Sequence, residues 1–257
     1  MKYLKIISTI ALLYVTSMST YGGVRNGSVV FHTIRNNPEI SSNNNSQQIT
    51  IGSIVEAEGL KIVCKKNQYV SLKFSNEVVI EILPETSVKI NSFKQIQPFA
   101  QNHSYERENS ESNLSITLIK GKINLISKEQ KALSTFDIST SLGKLSIKGK
   151  SFILSDDNDS VEIVVIEGMA TYNSPNGKKD FVRNKQRGKV SKETINQNFP
   201  LAIDRIGMLE EQQYQKELAP CHQVQDSILF EFDANKKLTA KRIIFKEFLL
   251  RPTKYNY

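Results

Sequence analysis

The chain has 257 residues and a formal net charge of +8; 39% of its residues are hydrophobic, 23% are charged, and Trp is absent. That is too apolar for a disordered chain, and 12 Gly with 7 Pro exclude a fibrous repeat. Two Cys and three His are too few soft ligands for a self-contained zinc ribbon or an iron–sulfur site.

Residues 1–19 read as a secretory signal peptide. Lys2 and Lys5 form a basic start, Ile6 to Val15 an apolar core, and Ser17-Met18-Ser19 places small residues at the −3 and −1 positions of a cleavage site. The apolar run is short for a membrane span, and no Cys follows it, so a lipid anchor is not expected. The expected location is periplasmic or secreted, with no transmembrane segment after cleavage.

Residues 20–48 divide into a short strand, Ser28 to Ile34, and a polar Asn/Ser-rich connector, Asn36 to Gln48, with only Ile40 to bury. From Ile49 to about Lys192 apolar residues alternate with polar ones. Val70, Leu72 and Phe74 set the pattern; Val88 and Ile90, then Leu114, Ile116 and Leu118, then Ile123 and Leu125 repeat it. Phe136 and Ile138, Leu145 and Ile147, and Val161, Ile163 and Val165 complete it. Period-2 spacing puts one row of side chains on one face of a strand. Turn signals separate the runs at Ser75-Asn76, Lys120-Gly121, Leu142-Gly143, Asp156 to Asp159 and Pro175-Asn176-Gly177. Short strands at this spacing predict an all-β antiparallel sandwich or roll over residues 49–192. Gln97 to Asn113 is polar and long, and reads as an exposed inserted loop.

Residues 193–257 change period and predict a short αβ extension. Leu201, Ile206, Leu209 and Tyr214 recur at roughly helical spacing after Pro200, with Glu210, Glu211 and Lys216 on the polar side. Ser227 to Phe232 and Ile243 to Leu250 then return to strand-like runs around Asp233-Ala234-Asn235.

Several segments of the β region together resemble a FecR-like domain. Thr140 to Phe152 (TSLGKLSIKGKSF) is similar to a family strand in which Gly149 and Phe152 occupy the Gly and Phe positions, with Lys150 in place of the usual Thr. Val161 to Met169 (VEIVVIEGM) resembles the next strand, ending in Glu167-Gly168 and a hydrophobic residue. Arg187-Gly188 resembles a later Gly turn, Leu118 to Leu125 (LIKGKINL) an earlier strand pair, and Thr50 to Ile90 the opening strands. The resemblance implies structural roles for Gly121, Gly149, Phe152, Glu167, Gly168 and Gly188, and no catalytic residue. It also implies an extracytoplasmic β domain of the kind that relays a signal through a membrane helix to a sigma factor. This sequence shows neither that second helix nor a cytoplasmic segment, so a binding, signalling or scaffold module is the expectation, with a true transmembrane signal relay partner of a sigma-factor system as an alternative.

The remaining signals are weak as chemistry. His32, His103 and His222 lie far apart, and no nucleophile elbow, phosphate loop or dinucleotide fingerprint occurs, so neither enzyme nor cofactor is expected. The rival, an envelope-acting enzyme such as a glycan hydrolase, would need its site in the loop Gln97 to Asn113. Asp156 to Asp159 lacks the distal Glu of an EF-hand and reads as a turn. Lys178, Lys179, Arg183, Lys185, Arg187, Lys189 and Lys192 concentrate positive charge. They form either a lysine-protected hairpin or a surface for an anionic partner, an envelope protein or glycan rather than nucleic acid. Cys64 and Cys221 admit two readings: a disulfide pinning the extension to the opening strands, or a buried Cys64 beside an unpaired Cys221.

Overall fold

The structure is a computed structural model that describes residues 23–42, 49–96, 108, 110–198, 200–232 and 238–242. The signal-like segment, His103, most of the loop Gln97 to Asn113, the turn at 233–235 and the run 243–250 lie outside the described residues.

The described chain opens with β1 (Val24–Asn26), β2 (Ser28–Arg35), β3 (Glu39–Ser41), β4 (Ile54–Glu56), β5 (Lys61–Cys64) and β6 (Tyr69–Phe74). There follow β7 (Val79–Ile82), β8 (Thr86–Ile96), β9 (Ser112–Ile126), β10 (Thr135–Thr140), β11 (Gly143–Asp156) and β12 (Ser160–Asn173). The last elements are β13 (Lys179–Arg183), β14 (Gln186–Ser191), β15 (Ala202–Arg205), helix α1 (Met208–Ser227), β16 (Ile228–Phe232) and β17 (Leu238–Arg242). The protein is all-β with a C-terminal αβ extension, as its alternation predicts.

Strands β1 to β15 share one sheet whose main path runs β15-β14-β12-β11-β10-β9-β7-β6-β2-β4, while β16 and β17 pair only with each other. The sheet is mixed: β10 lies parallel to β9, with Phe136 opposite Leu114, and the other described pairings are antiparallel. Every alternating apolar residue singled out from the sequence, from Val70 to Val165, is buried in one inner core. Strand β2, from the stretch ahead of the alternating region, pairs with β6 and adds Val29 and Phe31 to that core.

Two expectations need correction. The polar connector contains β3, which pairs with β5 because Ile40 packs against the inner core. Lys120-Gly121 is not a turn but the middle of β9, which is continuous from Ser112 to Ile126.

Glycines mark where the long strands change neighbours. β9 leaves β8 at Lys120 and takes up β11 at Gly121. β11 pairs with β10 as far as Ser146 and with β9 from Ser151, either side of Gly149; β12 pairs with β14 as far as Val165 and with β13 from Met169, either side of Gly168. Gly149 and Gly168 face each other across β11 and β12 at φ +137° and +132°, and Lys150 is pushed out as a bulge beside them. A Cβ on Gly168 would stand 2.6 Å from the Lys148 carbonyl oxygen and 2.7 Å from both the Gly149 Cα and the Phe152 ring. The buried Phe152 thus covers the space the two glycines leave. Gly168→Ala combines a steric clash with a disfavoured backbone conformation. It should destabilise the fold by about 2 kcal/mol or more, read as a lower urea midpoint with an unchanged slope.

Candidate functional site

The sheet has a second apolar face. Val30, Val79, Ile126, Ile153, Val164 and Ile166 point away from the inner core and form a separate cluster with Leu218, Cys221, Val224, Ile228 and Phe230. Helix α1 lies over this outer face. Its register differs from the expected one: residues 202–205 extend as β15 along the open edge of β14, and the helix begins at Met208. Leu209, expected to face inward, is 80% exposed, and Leu201 joins the inner core instead. The buried stripe falls later, at Leu218, Cys221 and Val224, and the helix passes through Pro220.

A polar layer lies between helix and sheet. Lys73, on β6, is 1% exposed. Its ammonium donates to the carbonyl oxygens of Gln225 (2.6 Å) and Ile228 (2.5 Å) and pairs with the Glu77 carboxylate at 2.9 Å. Those acceptors match the three protons of an ammonium and cap a helix end that has no basic residue in its own last turn. Burial pulls the Lys73 pKa down, opposed by Glu77. Glu77 also pairs with Lys128 at 3.1 Å, and Gln225 donates to its backbone carbonyl. Further along, the buried Glu81 accepts from the Tyr69 hydroxyl, from Asn124 Nδ2 at 3.2 Å and from the Cys221 thiol. Asn124 also donates to the Glu217 carbonyl at 3.2 Å.

Both cysteines are free, which corrects the disulfide reading. Cys64 sits in the inner core and Cys221 in the outer cluster, so the sheet itself separates them. Burial pushes the Cys64 thiol up to about 11 and raises that of Cys221 further, so both stay protonated and unreactive at neutral pH.

The cationic stretch is distributed rather than gathered. Lys178 binds the Gln197 carbonyl and Asn198, and Lys192 pairs with Asp159. Lys185 pairs with Glu211 at 3.0 Å, and Arg187 reaches Glu210 at 3.3 Å, with Glu162 and Asp204 also within 4 Å. Lys179 and Arg183 lie on β13, and Lys189 lies on β14 opposite Glu162. Lys185 and Arg187 both pair with the first turn of α1, and Arg187 reaches Glu162 and Asp204 as well.

The family-like positions are spread through the β body. Lys150 pairs with Glu167 at 2.7 Å above the glycine pair, and a Cβ on Gly188 would stand 2.6 Å from Val182. Asp156 is buried and accepts from the Ser141 backbone and hydroxyl, both at 2.7 Å, while Asp157 closes the turn onto Ser160. His32 contacts Thr33 and Ser71, and His222 lies in the field of Asp226 and Glu167. Among the described residues no three His, Cys, Asp or Glu gather to hold a metal ion.

Glu108, from the loop expected to be exposed, is 3% exposed. Its carboxylate accepts from the Ser112 hydroxyl, from Ser134 Oγ at 2.5 Å and from the Lys131 amide at 3.2 Å. It therefore ties the start of β9 to the strand-entry segment of β10.

The all-β body, with glycines where its long strands change partners, is the part of the chain for which the sequence finds a family match. Residues 61–171, the greater part of the β body, match the family model FecR, described as FecR protein. Two solved structures, each described as a "putative anti-sigma factor" from Parabacteroides distasonis ATCC 8503, are similar at 9% identity with TM-scores of 0.43 and 0.40. Each covers 71% of this chain, and the matched parts are 98% and 99% of those chains. No curated protein matches in sequence.

Two outcomes follow. Titration of the unreduced, denatured protein should find two free thiols. Glu108→Ala strips the acceptor from three donors and should cost about 1–3 kcal/mol in chemical denaturation. Burial raises the Glu108 pKa above its ordinary value of 4.5. Its contribution to stability is therefore full below that ordinary value and is lost as pH rises through the raised one. Glu108→Gln should flatten the stability profile across that window.

Proposed function

We propose that the chain is an exported, non-enzymatic module of the cell envelope whose FecR-like domain works by binding a partner. The observation that carries this reading is the family match over residues 61–171. The buried ionisable groups support it, because each is engaged within the chain. Lys73 and Glu77 clasp α1, Glu81 binds Tyr69 and Asn124, Glu108 joins two strands and Asp156 closes a turn. A general acid or base would need to face a substrate. The basic start, apolar core and small-residue site of residues 1–19 support export.

Expression of the full chain in a bacterium, followed by fractionation and N-terminal sequencing, tests the first part. A mature protein outside the cytoplasm beginning at Thr20 is the expected result; soluble cytoplasmic protein retaining Met1 contradicts export. Incubation of the purified protein with envelope glycan tests the second. No new reducing ends should accumulate, and their steady release would restore the hydrolase reading.

A further inference from the structure

The outer face carries a charge pattern as well as an apolar one. Helix α1 holds Glu210, Glu211, Glu217 and Asp226 against a single lysine, Lys216. Around the face stand the complementary cations: Lys185 with Glu211, Arg187 with Glu210, Lys122 with Glu217 at 2.5 Å, and Lys73 and Lys128 in the field of Asp226. Between these pairs the stripe Leu218, Cys221 and Val224 meets the outer apolar cluster.

The helix meets this face through a narrow apolar stripe and a rim of charges. Three of its twenty residues are buried, Met208 and Leu209 project into solvent, and Pro220 removes a backbone donor from its interior. Its end is capped from outside, by Lys73. Glu77, which holds Lys73, sits at φ +70° in the tight turn after β6, where Gly or Asn is accommodated at lower cost. The face also lies largely inside the FecR match: Lys73, Glu77, Lys122, Ile126 and Val164 fall within residues 61–171, whereas α1 falls outside them.

We infer that the outer sheet face is a receptor for an acidic amphipathic helix of another protein, and that α1 occupies it as an exchangeable strap. The inference names a partner chemistry for the binding-module reading. It is tested on purified chain, so its outcome is separate from that of export or glycan turnover. Clustered lysines select the acidic face of the incoming helix, the apolar cluster takes its stripe, and Lys73 caps its last carbonyls.

The test uses full-length chain and a fluorescent synthetic peptide of residues 206–230, followed by anisotropy. Leu218→Asp opens the strap from the apolar side and Glu217→Lys from the polar side, so a folding defect in one leaves the other informative. Each variant should bind the peptide at least tenfold more tightly than the parent chain. Binding should weaken as salt rises and fall at least tenfold when Lys73→Met is added. A control peptide in which Glu210, Glu211 and Glu217 are replaced by Lys should not bind. The inference is overturned if neither variant takes the peptide while its β body melts like the parent's, or if the charge-reversed peptide binds equally well. It is also overturned if α1 amides of the parent exchange hydrogen only on global unfolding. Variants that dimerise without peptide would identify a second copy's α1 as the occupant and overturn the assignment to another protein.

Discussion

At Gly149 and Gly168 two strands approach with no side chain between their backbones, and the rest of the β body depends on that approach. Long strands twist, and a fifteen-stranded flat sheet could not enclose a core. The left-handed residues let β11 and β12 bend together at one level, and the bulge at Lys150 accommodates the extra length on the bent strand. Bent in this way, the sheet brings Leu145 and Ile147 into the same core as Phe31, Ile62 and Leu72. Phe152 fills the volume the glycines leave, so the motif works as a unit of three residues.

The bend also creates the other half of the design. A sheet folded around an inner core still presents an outer face, and here that face is covered as well. The covering is chemically different from the core. The inner cluster is largely aliphatic and aromatic, whereas the outer cover sets a buried ammonium and two buried carboxylates beside its aliphatic residues. Buried charges contribute little net stability, but they dictate geometry, because any arrangement that leaves one unpaired is costly. Two of the three acceptors of Lys73 exist only when the end of α1 is in place.

The inner core was legible because alternation reports one face of a strand, and residues from Val70 to Val165 obey it. The outer face was legible in principle, from apolar residues on the opposite parity. Val79 beside Ile80 and Val164 between Ile163 and Val165 are two-sided apolar runs, the mark of strands buried on both faces. Lys73 was readable as outward-facing, which it is, but alternation cannot say whether outward means solvent. The helix was misplaced because β14 has an open edge that captures residues 202–205, a tertiary effect that no local spacing records. Glu108 was hidden for the same kind of reason, since its partners Ser112 and Ser134 become neighbours only after β9 and β10 pair.

That parallel pairing has a consequence in chain length. Ile126 ends β9, and Thr135 opens β10 beside Asn113, so about nine steps of chain, reaching roughly 31 Å at full stretch, must return to that point. A straight β9 would place Ile126 about 43 Å from Asn113, beyond the reach of the link. The parallel pairing therefore requires β9 to curl, and Gly121, at φ +96° where β9 changes neighbours, is a place its backbone permits this. A chain whose β9 stayed straight would have both strands and no means of placing them side by side.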